Sequence, residues 1–295
     1  MDQMYRGIPV LVTGGCGFIG SHIVRILVEY GAQVTVLDNL STGDFNTIKE
    51  FADKITFINK SICDPHACLQ ATQGKRIVFH LAAFISVPLS LENPSICHQT
   101  NVEGTFNILE AARLNGVERF VFSSSASVYG NREELCTEDL PCNPESPYGY
   151  SKQIGEIYCK QYAQNFGMCT VALRYFNVYG AAQNPNGEYA AAVAKFRHQL
   201  KNNLPITLFG DGMQTRDFIP VEQVARANLR LAMLPAHKMF GDIYNIATGT
   251  SITLLDLIEC LKQDFPHYTG QIIFNPARPG DVRHSAADCS KYTQL

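Results

Sequence analysis

The chain has 295 residues, 46% hydrophobic and 17% charged, with a formal net charge of −3; this is ordinary globular composition for one large or two modest domains, without the basic field that nucleic acid or an anionic membrane surface would need. Its ten cysteines form no Cys-x-x-Cys pair and no His/Cys cluster with zinc spacing, so they read as scattered reduced thiols and give neither a disulfide framework nor a metal site. The N-terminal MDQMYRG lacks a signal-peptide core and no apolar run approaches a membrane span, which points to a soluble, cytoplasmic protein.

The first strand is IPVLVT (8–13), a continuous apolar run of the kind buried in a parallel sheet. TGGCGFIG (13–20) follows it directly and opens a helix from about Gly17 to Tyr30. Gly14, Gly17 and Gly20 have the spacing G-x-x-G-x-x-G, a variant of the dinucleotide-binding turn. Glycine allows the tight turn, lets backbone approach a pyrophosphate and lets the helix sit close to the strand. The helix N-terminus adds free N–H groups and a positive dipole end. The second strand, VTVLD (34–38), ends on Asp38, 18 residues past Gly20. A carboxylate there can accept from the adenosine ribose hydroxyls and would repel a 2′-phosphate, which favours NAD over NADP. Asp38 could instead cap the turn at Asn39–Ser41.

ITFIN (55–59) and RIVFHLAA (76–83) are the next strands. His80 reads as a packed core histidine, and Ala82 and Ala83 are small enough to admit a cofactor beside them. Helical periodicity spans Pro94–Asn115. RFVFSSS (119–125) then puts three serines at the carboxyl end of a strand, where ligands bind in open α/β sheets. The helix Tyr148–Phe166 opens with PYGYSK, so Tyr148 and Lys152 stand one turn apart on one face. A phenol with a pKa of about 10 is a poor base at neutral pH; a neighbouring ammonium and an oxidised nicotinamide both favour phenolate. Tyr148 could then accept a proton from a substrate hydroxyl that Ser125 holds in line. On spacing alone such a pair is more often a surface contact. Tyr150 has no lysine one turn on, and Ser123 and Ser124 could simply satisfy the strand end. TVALRYF (170–176) completes a series of alternating strands and helices, which implies parallel βαβ units in a doubly wound sheet. Beyond it, NVYGAAQNPNGE (177–188) is a polar loop. Later elements follow near 190–203, LFGDGMQTRDFIP (208–220), Ile243–Ile246, Leu254–Phe265 and Ile272–Phe274.

Together TGGCGFIG, LDNLSTG (37–43), FHLAA, NVEGTFNILEAA (101–112), SSSASVYG, SPYGYSK, RYFNVYG, GDGMQTRDFI and RPGDVRHS resemble, in order and over nearly the whole chain, the extended short-chain dehydrogenase/reductase family. They are most similar to its nucleotide-sugar 4-epimerases of the UDP-glucose and UDP-N-acetylglucosamine types. The resemblance implies an α/β Rossmann fold, a doubly wound parallel sheet of order 3-2-1-4-5-6-7 with a smaller C-terminal α/β substrate domain. It divides the chain into an NAD-binding domain over 1–176, to which elements near 217–246 return, and a UDP-sugar-binding domain over 177–295 without the family's terminal helix.

The resemblance implies Ser125, Tyr148 and Lys152 as the catalytic set, with NAD tightly bound. Around the cofactor it implies Gly14, Gly17, Phe18, Ile19 and Gly20 of the first turn, and Asp38, Asn39, Ser41, Thr42 and Gly43 after the second strand. It adds Leu81, Ala82 and Ala83, Asn101, Ser123, Tyr148, Lys152 and Tyr175. The family often has an aspartate that binds adenine after the third strand; here Ser61 takes its place, so that the base is held by the backbone of Ile62 or less firmly. For the UDP-sugar the resemblance implies Ser86, Ser125, Ser127 and Tyr148 at the sugar and Asn177 at the diphosphate. Arg216, Arg278 and Asp281 would contact the nucleotide, where arginine's planar fork suits a diphosphate, although Arg216 could merely pair with Asp217. After RYFNVYG the family's Pro-Arg is replaced by Ala181-Ala182.

Hydride abstraction at C4 of a hexose gives a 4-keto sugar. Dehydratases of this family carry an Asp-Glu pair beside the serine and decarboxylases commonly a Glu; here Ala126 and Ser127 stand there. Return of hydride to the opposite face, an epimerisation, is what remains. In such epimerases the residue seven past the arginine of the RPGD stretch lines the hexose pocket, and a tyrosine there excludes N-acetyl groups. Here it is Ser285, seven past Arg278, which implies UDP-GlcNAc/UDP-GalNAc as substrates alongside UDP-Glc/UDP-Gal; NPNGEYAAAVAKF (184–196) also resembles the acetyl-accepting branch. The alternatives are a UDP-glucuronate 4-epimerase or another nucleotide-sugar enzyme, a dehydrogenase that releases NADH, and a non-catalytic NAD-binding scaffold. The family also implies a homodimer through the helices near 94–115 and 148–166.

Overall fold

The computed structural model describes residues 2–183, 192–277 and 282–295. A seven-stranded parallel sheet is built from β1 (Pro9–Thr13), β2 (Gln33–Leu37), β3 (Ile55–Ile58), β4 (Ile77–His80), β5 (Arg119–Ser125), β6 (Cys169–Tyr175) and β10 (Phe240–Ile246), in the order β10-β6-β5-β4-β1-β2-β3. The expected order holds, with its seventh position filled from late in the chain. A smaller sheet joins β7 (Asn177–Tyr179), β9 (Thr215–Pro220) and β11 (Ser251–Thr253), and β8 (Ile206–Phe209) pairs in parallel with β12 (Ile272–Asn275). The helices are α1 (Asp2–Tyr5), α2 (Phe18–Glu29), α3 (Pro65–Thr72), α4 (Val87–Glu92), α5 (Pro94–His98), α6 (Gly104–Leu114), α7 (Pro147–Phe166), α8 (Ala192–Lys201), α9 (Val221–Ala232), α10 (Leu254–Lys262) and α11 (Ser290–Thr293).

Strands buried on both faces explain the continuous apolar runs. Side chains alternate across a strand, so Val10 and Val12 of β1 join Ile23, Val24 and Leu27 of α2 and Val224 of α9 in one core. Leu11 points the other way, to Ile108, Leu109 and Ala112 of α6 and Cys159 of α7. The smaller unit has its own core, in which Phe196 and Leu200 of α8 meet Ile206 and Leu208 of β8 and Ile258 of α10. No helix among the described residues is long and apolar enough to cross a membrane.

Two local features aim residues at the crevice beyond the carboxyl ends of the strands. Helix α7 starts where Ser146, extended ahead of Pro147, accepts at Oγ from the Gly149 N–H at 3.1 Å. It stops at Gly167, which has φ +69°. The single helix expected over Pro94–Asn115 is broken by a π turn at Gln99–Glu103 between α5 and α6. Asn101 lies in that turn and is buried; such turns recur at functional sites.

Candidate active site

The Gly14 turn lies against the end of β4. Gly14 has φ +70°, and a Cβ there would stand 2.6 Å from the Ala82 nitrogen. A Cβ on Gly20 would overlap the Gly14 carbonyl oxygen, so α2 can approach the turn only as built. Thr13 Oγ1 accepts from the N–H groups of Leu81 and Ala82, each at 3.2 Å, and pairs with His80 Nδ1 at 2.7 Å. His80 is indeed a core residue: Nε2 meets Thr105 Oγ1 at 3.0 Å and burial pushes the ring down to about 3, keeping it neutral. Asp38 accepts from Cys16 N–H at 2.9 Å and Leu40 N–H at 2.8 Å, so it both braces the glycine turn and caps the bend after β2. Each carboxylate oxygen keeps a further lone pair for a ribose hydroxyl. Gly43 packs directly on the turn, where a Cβ would come within 2.9 Å of the Cys16 carbonyl carbon, and Asn39, Ser41 and Thr42 are exposed beside it.

These residues fit a dinucleotide. No side chain caps α2 at Gly17 and no acid lies in the first turn that holds Phe18 and Ile19, so its N–H groups and dipole are available to a pyrophosphate. One expectation narrows and one changes. The Ile62 carbonyl already accepts from Asn107 Nδ2 at 3.1 Å and Cys68 Sγ at 3.3 Å, which leaves its N–H, and Ser61, whose Oγ accepts from Cys63 N–H, at that end. Asn101 points inward. Its amide nitrogen donates to Phe84 O at 2.9 Å and Ser151 Oγ at 2.9 Å, and its oxygen accepts from Phe84 N–H at 2.7 Å. It therefore holds the loop after β4 against α7 instead of reaching out to a cofactor.

Ser125, Tyr148 and Lys152 come together at the end of β5. Lys152 is buried, donates to the Ser123 carbonyl at 2.8 Å, and lies 5.2 Å from the Phe122 ring centre and 5.8 Å from that of Tyr148. The Ser125 hydroxyl stands beside Tyr148 on the wall of the crevice and accepts from the Ser127 N–H at 3.2 Å and hydroxyl at 3.0 Å. Tyr150, the rival tyrosine, is exposed. The expected electrostatics need correction. Burial pushes Tyr148 up to about 12, with the Ser125 hydroxyl opposing it, and pushes Lys152 down to about 8, against the opposing pull of Cys97 and Glu156. In the protein alone the tyrosine is a neutral phenol, because desolvation outweighs what the Ser125 hydroxyl does for the charged form. Ser123 Oγ is turned to Tyr175 Oη at 3.0 Å, which donates to Asn228 Oδ1 at 2.8 Å, forming a buried floor under the pair.

A cavity of about 490 Å³ extends from this centre to the smaller unit. Ser86, Ser125, Ser127, Tyr148, Tyr175, Asn177, Arg216 and Ser285 all line it. Ser86 also caps α4 through Leu89 N–H at 3.2 Å. Arg216 and Asp217 are neighbours on β9, so they face opposite ways: Arg216 faces the cavity, while Asp217 accepts from Thr248 and Gly249. Arg278 and Asp281 lie outside the described residues. The sequence reading missed Lys195 and His284, which add positive or protonatable groups to the wall; His284 Nδ1 meets Thr215 Oγ1 at 3.1 Å. No spacing rule would have found them, since α8 and the segment at 282–289 reach the cavity only through tertiary packing. No Asp or Glu stands among the described residues of the wall.

Residues 10–247 match the family described as the NAD dependent epimerase/dehydratase family. A putative UDP-glucose 4-epimerase of Methanocaldococcus jannaschii is 41% identical over 289 residues, covering 97% of this chain and 92% of the relative. Among solved structures, a UDP-N-acetylglucosamine 4-epimerase of Methanobrevibacter ruminantium, in complex with UDP-N-acetylmuramic acid, superposes with a TM-score of 0.92 at 36% identity, covering 98% of this chain and 91% of that one. The UDP-glucose 4-epimerase of Thermus thermophilus, in complex with NAD, gives 0.89 at 35% identity, with coverage of 97% and 92%.

Proposed function

Because the chain belongs to the NAD-dependent epimerase/dehydratase family, we propose that it inverts C4 of a UDP-hexose, acting on UDP-GlcNAc/UDP-GalNAc and also on UDP-Glc/UDP-Gal. The observation that carries this reading is a Ser125–Tyr148–Lys152 centre opening into a wall that has Asn177, Arg216, Lys195 and His284 but, among its described residues, no carboxylate. Cations suit a diphosphate. Without an acid–base carboxyl pair, dehydration has no machinery at the neighbouring carbon. NAD, when bound, supplies the hydride acceptor and donor. Tyr148 acts as the phenolate, a form that the Lys152 ammonium and the positive charge of an oxidised nicotinamide both favour; its Oη would take the C4 hydroxyl proton and return it, while Ser125 holds that oxygen. The hexose must turn over between the two transfers, and the side chains around it at Ser86, Ser127 and Ser285 are small.

The test is incubation with UDP-GlcNAc and with UDP-Glc, reading C4 configuration by NMR. Both should equilibrate with their galacto epimers without net NADH; release of NADH or of a dehydrated sugar would sink the reading. Tyr148→Phe should lower kcat by about 10²–10⁴-fold, the usual contribution of a positioned general base, with the fold retained. A scaffold would be indifferent. Ser285→Tyr should abolish turnover of the N-acetylated pair and spare the other, whereas equal loss on both would refute the pocket assignment. We also propose a homodimer through the exposed apolar residues Ile96, Phe106 and Leu114 of the α5–α6 helix and Ile157 and Phe166 of α7. Light scattering should give twice the chain mass, and Phe106→Glu should halve it.

A further inference from the structure

One buried cluster is left unused by the chemistry above. Glu156 stands one turn past Lys152 and two past Tyr148, on the same face of α7. Its side chain is 4% exposed and that of Arg174, on β6, is 3% exposed. Glu156 Oε1 accepts from Arg174 Nε at 2.9 Å and from Ser124 Oγ at 2.5 Å, and Oε2 accepts from Arg174 Nη2 at 2.8 Å. Arg174 is fixed in turn by the Glu138 carbonyl at 3.3 Å and by the Tyr129 ring, whose centre is 4.6 Å from the guanidinium carbon. A buried ion pair is weak evidence for stability, since apolar residues of similar volume often replace one without loss, and its best-attested use is to set register.

The register at stake is identifiable. Ser124 lies between Ser123, whose carbonyl receives the Lys152 ammonium, and Ser125, which lines the cavity together with Tyr148. We propose that the Glu156–Arg174 pair is the positioning element of this centre: through Ser124 it locks the end of β5 to α7, so that the Ser123 carbonyl and Ser125 hydroxyl stand opposite Lys152 and Tyr148. The carboxylate bonds to a strand residue whose side chain points away from the crevice, while that residue's two neighbours present the groups that stand beside the reacting side chains. This rests on the Ser125–Tyr148–Lys152 reading above.

Ser124→Ala removes only the link from the pair to the strand, leaving the ion pair whole. It should lower kcat by about 10-fold or more, against the roughly 100-fold that a 1 Å misplacement can cost, while KM for the UDP-sugar, bound NAD and the unfolding temperature stay unchanged. Glu156→Leu with Arg174→Met fills the same space without charge and should fold with a comparable unfolding temperature, yet stay at least as slow. Wild-type kcat in Ser124→Ala overturns the proposal, and so does recovery of kcat in the apolar double variant. A kcat loss that comes with proportional loss of NAD or of thermal stability also overturns it, since that is what a merely structural role gives. Tyr148→Phe run in parallel separates the two readings. If it remains active, the catalytic assignment has failed; if it is inactive while Ser124→Ala is fully active, only the positioning role has.

Discussion

At Tyr148 two influences oppose each other. Burial holds the phenol neutral, up to about 12, and the neighbouring Ser125 hydroxyl works against it without prevailing. Lys152, lowered to about 8, still carries its charge through most of the population at pH 7. Tyr148 should therefore show no tyrosinate absorption in the unliganded protein from pH 7 to 9, read as the ultraviolet difference between wild type and Tyr148→Phe; a phenolate band at pH 7 would refute this. The stability signs are opposite for the two groups. Between about 8 and 10.5 the unfolded chain keeps the Lys152 proton that the folded chain has lost, so this group adds stability as pH rises through that window; Tyr148 subtracts stability between 10 and about 12, where the unfolded chain deprotonates first. The spacing of Tyr148 and Lys152 was legible because helix geometry fixes it. Their protonation was not, because burial is a property of the whole fold. Asn101 was misread for the same reason: its partner lies 50 residues away, at Ser151.

At the scale of elements, α7 does three things with one face, presenting Tyr148, Lys152 and Glu156 at successive turns. Its closeness to β5 depends on Gly155, where a Cβ would overlap the ring of Phe122. That ring lies beneath the Lys152 ammonium. Gly155→Ala should thus cost about 1–3 kcal/mol of stability, the usual penalty for overpacking, seen as a lower unfolding temperature. It should also lower kcat more than KM, since the displaced ring carries Lys152 with it. An unfolding temperature equal to wild type would show that the ring has room to yield. This helix was visible in the sequence to within one residue at its start, because Pro147 and Gly167 punctuate it. The π turn at Gln99–Glu103 was not visible, because one extra residue per turn leaves the apolar pattern of a helix nearly intact and only the inward pull on Asn101 betrays it.

At the scale of the molecule, the sheet that carries the serines and the smaller sheet that carries Asn177 and Arg216 must keep a fixed relation, or the cavity loses one wall. The chain passes from β10, at the edge of the large sheet, to β11 of the small one through residues 247–250. Asp217, fully buried on β9, holds that crossing: Oδ1 accepts from Thr248 N–H at 2.8 Å and Thr248 Oγ1 at 2.7 Å, and Oδ2 from Gly249 N–H at 2.8 Å. Three donors converging on one carboxylate leave no place for an amide, which would turn its own N–H2 against a backbone N–H. Asp217→Asn should cost about 1–3 kcal/mol, the penalty for a buried polar group left without its partner. Its kinetic mark should be specific, because Arg216 is the adjacent residue on the strand while the glycine turn that fits a dinucleotide follows β1 of the large sheet. KM for the UDP-sugar should rise by about tenfold, with bound NAD and kcat at saturating substrate nearly unchanged. Loss of NAD in step with KM would mean that the crossing supports the whole molecule, and that the two walls of the cavity are not set independently.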